Sequence, residues 1–147
     1  MMDTSLMITE LNQFCAGSFI ESLGIEFTSF GEGYIEASMP VGGKLQPVGI
    51  LHGGASLAMA ETVASAGSYL LIDREEYDAV GLHVSGNHVG MVKEGMLGAR
   101  AELIHQGKLT HVWDVNIRND HGRQICVARV TIMVVKKERV ADAGDTT

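Results

Sequence analysis

Cysteine, proline and tryptophan are scarce in this chain of 147 residues: two, two and one respectively. Two cysteines are too few for a secreted scaffold held together by disulfides. Cys15 and Cys126 each lie among apolar neighbours, so we expect reduced core thiols in a cytoplasmic protein. The first residues lack the basic segment and apolar run of a signal peptide. Basic residues are also few, 11 against 18 acidic ones, for a formal net charge of −7. Binding to phosphate backbones needs clustered Lys and Arg, which argues against nucleic acid as a partner. No long apolar run is free of charge. The best candidate, 54–72, carries Glu61 in its middle, where a charge costs about 2.5–3.5 kcal/mol in a bilayer. That stretch is also rich in Ala, Ser and Gly and has no second copy, so no membrane association is expected. Metal-ligand spacings of the Cys-x-x-Cys or His-Glu-x-x-His kind do not occur, and no metal is expected.

What is present suits one folded domain. Apolar residues make up 46% of the chain, and a chain of this length buries roughly two-thirds of its unfolded surface. We expect a single domain over 1–140 and a polar, flexible tail over 141–147. Residues 3–15 have loosely helical apolar spacing, and 20–24 suggest a second helical turn. Two strands, 25–29 and 34–40, flank Gly31-Glu32-Gly33. Residues 41–51, with Gly42, Gly43, Pro47 and Gly49, read as a loop. A long helix follows over 54–72. Beyond it, 81–89, 96–106, 109–119 and 124–136 read as strands. In the third of these, Trp113, Val115 and Ile117 share one face, and Asp114, Asn116 and Arg118 the other. Helix, two strands, long helix, four strands is an α+β order with an antiparallel sheet. The long helix is apolar nearly all round, so it must be covered on most sides. One curved sheet wrapping it meets that need.

The chemistry concentrates between Gln46 and Ser65. Glu61 is the only formally charged residue from Gly54 to Ile72. A buried carboxylate either finds partners or is pushed towards its neutral form, and such acids are candidates for general-base or nucleophilic work. A structural Glu at the lip of the sheet is the competing reading. His52-Gly53-Gly54 opens the helix. Glycines there permit close approach, and the free N–H groups of a first turn can stabilise an oxyanion. A plain tight turn is the alternative. Gln46 could donate to the same carbonyl or stay solvated. His52 could fix the loop or a water, or simply cap the helix. Ser65 lies four residues after Glu61 and shares its helix face.

Spacing adds a constraint. Gly53 and Glu61 are eight residues apart, about 12 Å along a helix. A reacting carbonyl needs both an oxyanion donor and an attacking group about 3 Å away. One helix does not offer both, whereas two antiparallel copies can. A catalytic site here therefore implies a two-fold dimer with the site across its interface.

The string LQPVGILHGGASLAMAETVASAGSYL resembles the active-site segment of hotdog-fold thioesterases, in the branch with phenylacetic-acid-pathway enzymes. It is most similar to 4-hydroxybenzoyl-CoA and 1,4-dihydroxy-2-naphthoyl-CoA thioesterases. The pattern Gln, five residues, His-Gly-Gly, six residues, Glu, three residues, Ser carries the resemblance. VGLHVSGNHVGMVKEG and VWDVNIRNDHGRQICVARVTIMV extend it over about residues 10–136.

The resemblance implies a hotdog fold, one long central helix wrapped by a curved antiparallel sheet. It implies hydrolysis of an acyl-CoA, aromatic by preference, without a cofactor beyond the CoA of the substrate. Glu61 would be nucleophile or general base, the Gly53 N–H would polarise the carbonyl, and Gln46 would assist. His52 would position the thioester or the water, and Ser65 the water or the acyl group. Asn87, His88 and Lys93 would meet CoA. The basic residue that relatives carry two places after His88 is Gly90 here, so Arg100 and Arg129 are further candidates for the phosphates. A homodimer or a dimer-of-dimers tetramer is implied. A hydratase of the same fold and a non-catalytic acyl-CoA-binding protein remain the alternatives.

Overall fold

The computed structural model describes residues 3–138; the tail expected over 141–147 lies outside them. Two helices, α1 (Thr4–Phe14) and α2 (Phe19–Ser22), precede strands β1 (Glu26–Gly31) and β2 (Tyr34–Pro40). The long helix α3 (Gly53–Leu71) follows, then β3 (Tyr77–His88), β4 (Met96–Gln106), β5 (Thr110–Asn119) and β6 (Gln124–Lys136). The six strands form one antiparallel sheet in the order β1-β2-β4-β5-β6-β3. It wraps α3, as expected from the sequence.

The alternation expected of β5 is borne out. Trp113, Val115 and Ile117 are buried towards α3, and Asp114 and Asn116 lie on the other face. Met59, Ala60, Val63 and Ala64 of α3 are fully buried against that side of the sheet. Gly67 lets the helix come down onto Trp113: a Cβ there would stand 2.6 Å from the indole ring. The expectation for β3 was too short, since four residues before Gly81 also pair with β6. Tyr77-Asp78-Ala79-Val80 has no clear alternation, and pairing with a long partner strand decides its conformation instead.

The two edges of the sheet differ. β1 is covered by α1, where the Asn12 amide imitates a strand neighbour. Its Oδ1 accepts from Phe27 N–H at 2.9 Å, and its Nδ2 donates to the Phe27 carbonyl at 2.9 Å. β3 pairs only with β6, leaves its outer edge open, and exposes Val80 and Leu82. Beside that edge one flank of α3 is incompletely covered, with Leu57, Ala58, Glu61, Thr62 and Ser65 half-buried. Long bare edges invite pairing with another chain.

Candidate active site

The helix-entry end of α3 is built from a tightly held loop. Leu45 and Leu51 bridge as a miniature hairpin, Gln46 N–H donates to Ile50 O at 2.8 Å, and Gly49 N–H donates back to Gln46 O at 2.9 Å. Gly49 turns with φ +81°, a conformation that favours glycine. Lys44 braces the loop from below through Nζ to the Pro40 and Gly42 carbonyls. His52 then caps the helix: its Nδ1 accepts from Gly54 N–H at 2.8 Å, and its carbonyl accepts from Ala55 N–H at 3.0 Å. The Gly53 N–H is left without a partner among the described residues. That is the geometry of an anion or carbonyl site at a helix start. Gly53 also lies under the His88 ring, where a Cβ would stand 2.6 Å from Nε2. Gln46, Gly53, Ser56, His88, Arg123 and Ile125 line one open cavity at this end.

The middle of the same helix opens into a different cavity of about 400 Å³, lined by Glu61, Ser65, Phe14, Phe19, Tyr69 and Cys15. Such a volume suits a small organic group (~300–1,000 Å³). Phe14 and Tyr69 stack at 5.4 Å between ring centroids. Phe14 and Phe19 are 70% and 68% exposed, a large apolar surface left to solvent. Burial pushes the Cys15 thiol up, which holds it protonated and a poor nucleophile.

Glu61 departs from the expectation of a buried acid. It is half-buried, and the ion pairs among the described residues do not include it: they join Arg100 to Glu36 and Glu102, Arg129 to Asp114, and Lys137 to Asp78. The carboxylate rests on the backbone of β3 at Gly81, where any Cβ would collide with Oε1. A bulge in the β3–β6 ladder falls between Gly81 and His83.

The other expected residues divide. His88 joins Gln46 and Gly53. Asn87 does not: neighbours on a strand point to opposite faces, and Asn87 lines a shallow depression with Ser85, Asp114 and Arg129. Lys93 is exposed and lines neither of the two cavities on α3. Arg100 lies over the Tyr34 ring at 4.0 Å between two carboxylates, and Arg129 is held bidentately by Asp114. Both guanidiniums are thus committed elsewhere.

The cation that reaches the helix-entry cavity is Arg123, which sequence reasoning missed. The turn before it is pinned by Asn119, whose Oδ1 accepts from His121 N–H and Arg123 N–H at 3.0 and 2.9 Å. The Asn119-Asp120-His121-Gly122 turn was legible, and following the hairpin back would have found Arg123.

Comparison with known proteins identifies the family and the fold. A sequence model of the thioesterase superfamily matches residues 48–126. The proofreading thioesterase EntH of Cronobacter turicensis is 36% identical over 131 residues, 88% of this chain and 95% of that protein. The crystal structure of a variant of thioesterase PA1618 from Pseudomonas aeruginosa superposes with a TM-score of 0.86 at 41% identity, over 88% of this chain and 94% of that one. Thioesterase HI1161 from Haemophilus influenzae does so at 0.83 and 41%, over 88% and 90%. In sequence and in its helix-wrapping sheet, the chain belongs to the thioesterase superfamily: it is a thioester hydrolase of the hotdog fold.

Proposed function

We propose that this thioesterase hydrolyses an acyl-CoA with an aromatic acyl group, at sites shared between two copies of the chain. The observation that carries the reading is the separation of the entrance of α3 from its middle. Gln46, Gly53 and His88 face one cavity, and Glu61 and Ser65 face another. No single copy offers both regions to one carbonyl. An antiparallel second copy, joined at the open β3 edge, would bring the Glu61 cavity of one to the Gly53 cavity of the other.

In this reading the Gly53 N–H and the Gln46 amide polarise the thioester carbonyl. Glu61 of the other copy supplies the attack. Its carboxylate adds to the carbonyl carbon, the thiolate leaves, and water cleaves the resulting anhydride. Alternatively it takes a proton from the water that adds directly. Either way acyl-S-CoA and water give free acid and CoA. Ser65, one helical turn from Glu61, orients the water or the acyl group. The stacked Phe14–Tyr69 pair and exposed Phe19 favour a flat ring beside Glu61. His52 acts through the entry turn that it caps. CoA phosphates meet Arg123, which lines the helix-entry cavity, and the exposed Lys93 is a second candidate cation. The two free cysteines suit a reducing cytoplasm.

The test is steady-state thiol release across benzoyl-, hydroxybenzoyl-, hydroxynaphthoyl-, phenylacetyl-, short-chain and long-chain acyl-CoAs. The proposal expects kcat/KM for one aromatic thioester at least tenfold above any aliphatic one. Equal or better turnover of long-chain acyl-CoA removes the aromatic assignment.

A further inference from the structure

Two serines of α3 are almost completely buried, Ser56 at 1% exposure and Ser68 at 0%. Their surroundings are opposite. Ser68 Oγ has two partners, His111 Nδ1 and Trp113 Nε1, both at 2.9 Å. Ser56 Oγ has none, and it is the one buried side-chain polar atom without a hydrogen bond among the described residues. A helical serine can return its hydroxyl to the carbonyl four residues back, here His52, but this one does not. Native proteins rarely strand a hydroxyl, and where they do a ligand or water commonly completes it.

Ser56 stands in a position that gives its hydroxyl a use. It lies one turn past Gly53, lining the same cavity with Gln46 and His88, and the Gly53 N–H is likewise unpartnered. We infer that Ser56 is a further catalytic residue, its Oγ–H completing the oxyanion site by donating to the thioester carbonyl oxygen beside the Gly53 N–H. The inference rests on the acyl-CoA hydrolase reading. A hydroxyl aimed at a developing oxyanion counts more in the transition state than in the ground state, so its loss falls on kcat. In the free enzyme that hydroxyl is a burden, so removing it does not weaken the fold.

The experiment compares wild type with Ser56→Ala and Ser56→Cys, using the best acyl-CoA of the panel. It measures kcat, KM, Tm and oligomer size by light scattering. We expect Ser56→Ala to lose about 10²-fold in kcat, with KM within about threefold, Tm unchanged or raised, and oligomer size kept. Ser56→Cys, a weak donor of similar shape, falls between. A kcat within threefold of wild type overturns the inference. So does a rise in KM alone, which puts the hydroxyl on the carrier arm. A fall in Tm or loss of the oligomer, for either variant, makes Ser56 structural. If wild type itself turns over no acyl-CoA, the hydrolase substrate reading fails first, which is a separate outcome.

Discussion

The entrance and the middle of α3 handle their polar groups in contrasting ways. At the entrance, backbone does the work: a pinned hairpin loop and a histidine cap leave the N–H of Gly53 without a partner among the described residues, and the glycine leaves room for the His88 ring. Two turns on, a single flexible side chain does it, with Glu61 lying half-buried over Gly81 and facing aromatic rings. The entrance is a rigid dipole that can wait for charge to develop. The carboxylate stands on a side chain with rotatable bonds, and the proposed reaction asks it to reach its target by turning about them. A site that needs both gains from taking them from two copies of one helix, because each region keeps the packing that suits it.

The largest effect expected from breaking this arrangement comes at the carboxylate. Glu61→Gln preserves shape but removes the base or nucleophile, and kcat should fall by about 10³-fold or more. The circular dichroism spectrum should be unchanged. Gly81→Ala is a subtler version. Its Cβ displaces the Glu61 carboxylate, whose flexible side chain can yield, so we expect kcat to fall about 10–100-fold, since a displacement of about 1 Å costs on that order.

Buried polar residues away from the site sharpen the comparison from the other side. Ser68→Ala strands Trp113 Nε1 and His111 Nδ1 in the core. Chemical denaturation should show a loss of about 1–3 kcal/mol, with kcat at permissive temperature unchanged. The smallest effect is on pH dependence. Burial, with a lesser contribution from His105, pushes the His111 imidazole below its ordinary value of 6.5. The unfolded chain therefore takes up the proton first as pH falls. The His111 contribution is whole above about pH 6.5 and is lost as pH drops below it, until the folded protein protonates as well. Denaturation midpoints of wild type and His111→Asn between pH 5 and 8 should show a shallower acid loss in the variant.

Much of this was legible in the residues. The period-two pattern at Trp113, Val115 and Ile117 fixed the inner face of β5, and the otherwise uncharged stretch around Glu61 marked the central helix and its one charged side chain. What escaped notice depended on tertiary neighbours. Asn87 and His88 are the exception: they read as one binding patch, although strand alternation alone separates adjacent residues. Arg123 was overlooked because a turn, not a motif, brings it to the cavity. The contrast between Ser56 and Ser68 could not be read from the chain at all: the partners of Ser68 are 43 and 45 residues away. Glu61 proved more open than its apolar helix suggested, because β3 beside it is an edge strand.

The most direct test of a shared site is complementation between two defective chains. Glu61→Ala and Gly53→Val, each inactive alone and each folded, are co-expressed with different tags and the mixed dimer is isolated. If every site takes Gly53 from one copy and Glu61 from the other, one of the two sites in each mixed dimer is intact, and about half the wild-type rate returns. If the mixed dimer is no more active than either parent, each copy carries its own complete site, and the account of a divided helix is wrong.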